Sequence, residues 1–161
     1  MKMRNDRKER RRRGREFIDK MLSERAEMLV LFCKVSGTEP YGNNNSDEVD
    51  AELLQNFCQI LVDYIASAHF SLYERISQGR ERRQPVYQLA EQIYPRIAES
   101  TEAAVDFSEK YEVLDGSLLH QSLQEDLSEL GEQLASRIEL EDELITALIG
   151  QPVEAAAPRL V

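Results

Sequence analysis

Apolar residues along this chain recur at steps of three and four and nowhere settle into alternation, a periodicity that predicts helices and no sheet. From about Glu16 to Val35, Phe17, Met21, Met28, Leu31 and Val35 keep helical spacing, and Gly37 supplies a stop. Whether that helix extends back through the arginines before it is left open by the pattern. Residues 37–46, with Pro40, Gly42 and three asparagines, read as a loop. Asp47 can cap a second helix that runs to about Gln78 and ends at Gly79, a rod of about 48 Å. A third helix begins near Pro85, where proline is tolerated, but Pro95 removes an amide inside it, so a kink or break is expected near Tyr94. It continues to about Tyr111, before the turn dipeptide Asp115-Gly116. In the last helix Leu123, Leu127, Leu130, Leu134, Ile138, Ile145 and Leu148 form an apolar seam, closed by Gly150 and Pro152. The expected architecture is an all-α antiparallel helical bundle with four main helices, the third kinked or broken near Pro95. Residues 1–15 form a basic arm, disordered or solvated, 16–150 the bundle, and 151–161 a frayed tail.

The second helix is the most informative. Phe57, Leu61, Tyr64, Ala68, Leu72 and Ile76 make one apolar stripe, and Cys58, Val62, Ile65, His69 and Tyr73 make another beside it. Such a helix is packed on more than one side. On the narrow face that remains, Asp63, Ser67, Phe70 and Glu74 fall at i, i+4, i+7 and i+11 of a straight helix. A phenylalanine rimmed by carboxylates suits a docking surface for a basic partner with an apolar cleft. The plainer reading is that another helix of the bundle covers Phe70.

Charge sharpens the choice of partner. The chain of 161 residues has a formal charge of -10, but residues 1–15 hold nine basic side chains against two acidic ones, a net of +7, leaving -17 on the rest. An acidic helical body repels nucleic acid and attracts basic protein surfaces, including those that grip DNA phosphates, so no direct DNA binding is expected of it. No apolar run is long enough to span a membrane and no secretory signal precedes the first helix, so the expected location is the cytoplasm. Cys33 and Cys58 lie in apolar helical stretches outside any metal-ligand spacing and are expected as buried, reduced thiols. The histidines, His69 and His120, have no Glu-x-x-His pair around them, so no metal site is expected. His69 reads instead as a partly buried hydrogen-bonding residue beside Asp63 or Tyr73, in an internal polar pocket with Tyr64 and Tyr73. The run Glu141, Asp142, Glu143 reads as wet surface, and with no nucleophile paired to a base and no phosphate-cradling loop, neither an enzyme nor a cofactor is expected.

The run Phe57-Cys58, Leu61-Val62-Asp63-Tyr64, Ala68-His69-Phe70 and Tyr73-Glu74 closely resembles the signature helix of the Rsd/AlgQ family of anti-sigma factors. Ile18-Asp19-Lys20, Leu22, Arg25 and Gly37 resemble its first helix and exit, Tyr94-Pro95 its aromatic-proline step, and Leu130-Gly131-Glu132, Leu134, Arg137 and Leu140-Glu141-Asp142 its final helix. These blocks are collinear over residues 17 to 149. The resemblance implies a helical bundle that binds region four of the primary sigma factor, the basic helix-turn-helix that reads the promoter's upstream element, and keeps it from promoter and core polymerase. It assigns the central contact to Asp63, with Phe70 and Glu74 alongside; Ser67, on the same helical face, is expected to join them, and the chain is expected to be monomeric when bound. Two departures stand out: Met21 replaces a family tryptophan, and the Arg10 to Arg13 cluster exceeds the family pattern. That cluster keeps open a second reading, a nucleic-acid-associated helical protein anchored by its arginine-rich arm. A third is a helical protein that self-associates through the apolar surplus of helix two.

Overall fold

The computed structural model describes residues 2–37, 51–77, 83–113 and 122–150. Helix α1 spans Lys2–Ser36, α2 Ala51–Ala68, α3 Glu74–Ser77, α4 Gln84–Val113 and α5 Leu123–Ile149, with a π-helical turn, His69–Tyr73, joining α2 to α3. Counting α2, the π turn and α3 as one rod gives four main helices, and no strand occurs among the described residues. The expected all-α bundle is what forms. The arginine-rich segment is part of α1, so of the readings left open for it the helical extension is the one realised. Gly37 and Gly150 end α1 and α5 in the left-handed region, at φ of 73° and 70°, where a side chain would be strained. The Gly150 amide donates to the Thr146 carbonyl at 2.8 Å, closing the last turn of α5. The Asp47 cap, the Gly79 stop, the Asp115-Gly116 turn, His120 and the 151–161 tail lie outside the described residues.

Pairwise contacts fix the helix order and direction. Phe32 packs on Phe57 while Ser71 reaches the Phe17 carbonyl, so α1 and the α2 rod run antiparallel. Phe57 also meets Phe107, and Tyr73 meets Tyr94, which sets α4 antiparallel to the same rod. Tyr111 bonds Asp126 at one end of the α4–α5 pair and Arg83 donates to the Leu148 carbonyl near the other. Arg25 pairs with Asp142 and Phe32 lies against Gly131, closing the ring between α1 and α5. A Cβ at Gly131 would stand 3.0 Å from the Phe32 ring, so glycine here lets the two helices approach.

In α1 the buried seam runs Ile18, Met21, Arg25, Met28 and Val35, with Leu29 and Cys33 beside it. Met21 is fully buried. Phe17 was expected in this core and is not there: its ring is 58% exposed, because Ile18 takes the inward position one residue on. Leu31 is only partly buried for the same reason. Likewise in α5, Leu123, Leu127, Leu130, Leu134 and Ile145 are buried as expected, whereas Ile138 and Leu148 are half-buried at the margin of the core.

Helix α4 runs unbroken through Pro95, so of the kink or break expected near Tyr94 the break does not occur. Pro95 lies on the exposed side with Tyr94, and Glu91, whose carbonyl loses its amide partner, is an exposed residue too, so water can take the missing amide's place. Both cysteines are free and buried. Burial pushes the Cys58 thiol up to about 11, with a Ser108 hydrogen bond opposing and Glu112 reinforcing the shift, and burial raises Cys33 as well. At about pH 8 roughly one Cys58 in a thousand is thiolate, against about a quarter for an unperturbed thiol. Alkylation followed by mass spectrometry is therefore expected to modify Cys58 at least a hundredfold faster, roughly, in denaturant than in buffer.

Candidate partner-binding face and the ion pairs behind it

The α2 rod has an inner and an outer side, and both matter. Its inner stripe, Phe57, Leu61, Tyr64, Ala68, Leu72 and Ile76, is buried as its spacing predicts. In the second stripe Cys58, Ile65 and Tyr73 are buried, but Val62 and His69 are exposed. The π turn accounts for the inward position of Tyr73. The Glu74 amide donates to the His69 carbonyl, an i to i+5 bond that takes one extra residue into the turn. With one residue absorbed, the eight steps from Ile65 to Tyr73 act as about seven, close to two full turns, and Tyr73 is brought inward under Ile65.

Of the four residues expected on the outer face, Asp63 and Phe70 are exposed and Ser67 and Glu74 half-buried. The Phe70 ring is 62% exposed, so no described helix covers it. Asp63 accepts a hydrogen bond from Gln59 Nε2 at 3.1 Å, a bond within its own helix that leaves the carboxylate facing outward. Glu74 departs from the expected straight stripe: beyond the π turn its eleven steps from Asp63 act as about ten, which turns it roughly 80° away. His69, expected within a polar pocket, stands outside the bundle with its ring edge-on to Phe70 at 5.6 Å between centroids. It extends the aromatic surface instead. Ser71 Oγ donates to the Phe17 carbonyl at 3.2 Å, and this tie sets the exposed Phe17 of α1 alongside the π turn.

Behind this face lies a polar core that joins all four helices. Arg137 and Glu141, at 1% and 0% exposure, form an ion pair with Nε to Oε2 at 2.9 Å. Tyr64 donates its hydroxyl to Glu141 Oε1. Arg137 Nη1 donates to Ser100 Oγ at 3.1 Å and Thr101 Oγ1 at 2.8 Å, and Ser100 in turn donates to the Ile97 carbonyl. From α1, Arg25 Nη1 bonds Asp142 Oδ1 at 2.7 Å and stands 3.5 Å from Glu141 Oε1. Glu141 had been expected with Asp142 and Glu143 on a wet surface. Only Glu143 is exposed, Asp142 is half-buried, and Glu141 is enclosed because Tyr64 and two arginines satisfy its oxygens in the core.

The shifts in this cluster follow from enclosure. Burial raises the Tyr64 phenol well above its ordinary value, and neighbouring Glu141 adds to the rise. Burial raises Tyr73 in the same way, with Glu141 reinforcing and Arg137 opposing. Both phenols therefore stay neutral. For Arg137 burial works against the cation, but Glu141 and the tyrosines more than offset it, and the guanidinium remains charged. Its plane also lies 5.6 Å from the Tyr64 ring centroid, a cation–π contact. The chemistry here is structural: Tyr64 is held from inside while its neighbour Asp63 points out, so the network fixes the rotation of the face-bearing rod. Among the described residues no group of three or more His, Cys, Asp or Glu side chains is placed to hold a metal.

An all-helical bundle with an outward aromatic–acidic strip and a four-helix ion-pair core is thus what this sequence builds, and comparison with known proteins assigns it. The chain belongs to the Rsd/AlgQ family, whose model, described as regulator of the RNA polymerase sigma(70) subunit, matches residues 1–149. Among its relatives, the regulator of sigma D from Yersinia enterocolitica serotype O:8 is 37% identical over 134 residues, 81% of this chain and 78% of that protein. The regulator of sigma D from Yersinia pestis bv. Antiqua is 38% identical over the same span, and that from Enterobacter sp. strain 638 is 32% identical over 144 residues, 88% of this chain and 85% of its own. No solved structure matches the chain. No described helix is long and apolar enough to cross a membrane.

Proposed function

We propose that this protein is a non-catalytic, cytoplasmic anti-sigma factor. Its outer α2 face binds region four of the primary housekeeping sigma factor, as a monomer in the complex, and keeps that region from promoter DNA and core polymerase. The observation that carries the reading is Phe70, a large apolar ring left 62% exposed on a rigid rod with the Asp63 carboxylate one face-length away. Buried aromatic anchors with a charged rim supply most of the energy and the specificity of protein interfaces. Membership of a family described as regulating the sigma(70) subunit supports the partner class, and the acidic body supports a basic target. Phe17 and His69, which the periodicity did not assign to the face, belong with Phe70 in it.

Calorimetric titration with isolated region four of a primary sigma factor tests the proposal, and a wild-type protein that gives no binding heat refutes it. Asp63→Ala is expected to weaken binding about five- to thirtyfold at low salt, and the deficit is expected to shrink as salt rises, because a rim charge acts through a screened field. An unchanged affinity would remove Asp63 from the contact.

A further inference from the structure

Before its first buried residue, Ile18, α1 has sixteen residues of helix whose described side chains are all exposed except at Gly14. At 1.5 Å per residue, Arg4 lies about 21 Å along the axis from Ile18. The acidic charges on this extension keep to one face, and an uninterrupted basic stripe lies opposite. Arg4, Arg7, Lys8, Arg11 and Arg15 fall at i, i+3, i+4, i+7 and i+11, within an arc of about 100°. The three carboxylates, Asp6, Glu9 and Glu16, fall on the opposite side, where Glu9 pairs with Arg13 and Glu16 with Arg12, each at 3.5 Å. None of the five stripe cations has an ion pair or hydrogen bond among the described residues. Like charges at i+3 and i+4 repel, and the first turn carries no acid to offset the helix dipole, so the stripe is held against its own field.

The geometry points to a second binding surface: the Arg4, Arg7, Lys8, Arg11 and Arg15 stripe takes the phosphate backbone of a DNA duplex, without sequence preference. Five cations over about 16 Å match in number the roughly five phosphates that one DNA strand presents over that length. A bare helix of this girth fits the major groove of B-form DNA, whereas the deep, narrow groove of an RNA duplex excludes it. A membrane helix needs an apolar face, and the sequence has no apolar residue between Met3 and Phe17. A single strand would ask for stacking rings, and the extension has none. At physiological salt the screening length is about 8 Å, so the outer turns of the extension are largely shielded from the repulsion of the acidic body.

Fluorescence anisotropy of the full chain with a labelled duplex of about 20 base pairs of arbitrary sequence, over about 50 to 200 mM salt, tests this. Binding is expected, with a log–log salt slope of about -4, as four or five neutralised phosphates give. The variant R4Q/R7Q/K8Q/R11Q/R15Q is expected to lose at least about a hundredfold in affinity at low salt. R12Q/R13Q, which removes charge from the paired side, is expected to lose less than about threefold, with helix content of both variants checked by circular dichroism. No anisotropy change up to about 100 µM protein at low salt overturns the proposal. So does an equal loss per charge in the two variants, which would make net charge rather than the stripe responsible. Tighter binding to an RNA duplex of the same length, or to phosphatidylglycerol vesicles, would also overturn it. Because no sigma factor enters this experiment, its outcome is independent of the region-four reading.

Discussion

Glu141→Leu is expected to destabilise the protein by about 3–5 kcal/mol, more than any single change on the surface, because it strands the enclosed Arg137 guanidinium without a counter-charge. It also removes the acceptor of the Tyr64 hydroxyl and one of the two carboxylates facing Arg25. For a domain of this size each kcal/mol moves the midpoint by about 2–4 °C, so the thermal transition should fall by roughly 6–20 °C. The double variant Arg137→Met, Glu141→Leu is expected to recover much of the loss, since a well-packed apolar pair can replace a buried ion pair at little cost while Arg25 retains Asp142 at 2.7 Å. Urea and thermal melts of wild type, both single variants and the double variant give the coupling directly. A single Glu141→Leu within about 1 kcal/mol of wild type would mean that the carboxylate is not paired as described.

The second large effect separates binding from folding. Phe70→Ala is expected to change stability by less than about 0.5 kcal/mol, because most of the ring already faces water. The same substitution is expected to cost about 2–4 kcal/mol of affinity for sigma region four, roughly 30- to 1,000-fold, as the loss of a central aromatic anchor does. Val105→Ala offers the control: this side chain is also exposed, but it sits on α4 away from the face and should leave the affinity unchanged. A Phe70→Ala protein that binds within about threefold of wild type would show the ring to be a bystander.

Much of this architecture is legible in the residues, and the misses have identifiable physical causes. The heptad-like steps and the stops at Gly37 and Gly150 lead correctly to helices around one core. The seam of α5 was followed only through its apolar members, and there the pattern misleads. Steps of three and four from Leu134 lead to Arg137, Glu141 and Leu144, all buried, and the same steps in α1 lead from Met21 to Arg25 and Met28. A charge at a seam position is the signal for a buried ion pair, and it was present in both helices. Excluding charged residues from the seam by type, rather than keeping them by position, hid the network. The π turn is harder to anticipate, since His69–Tyr73 carries no glycine or proline, and only the need to bury both Leu72 and Tyr73 calls for an extra residue there. Phe17 against Ile18 is a choice between adjacent apolar residues, and periodicity does not resolve a shift of one when Met21 suits either. On the outer face the opposite holds: Asp63 and Phe70 were placed by what the buried stripes left over, and both stand in the open.

The functional consequence rests on the rod's rotation. Tyr64 is held from within by Glu141, and the Tyr73 ring lies 6.1 Å from that of Tyr94. With the inner side fixed at both ends of this stretch, the residues between them project outward in one arrangement, and a preorganised face loses less freedom on binding. Mapping amide shifts of the isotope-labelled protein during titration with unlabelled sigma region four tests the central claim most directly. The expected result is a contiguous set of perturbed amides over residues 59–74, joined by those around Phe17. Perturbations gathered on α4 and α5, with the amides of Asp63 and Phe70 unmoved at saturation, would contradict it.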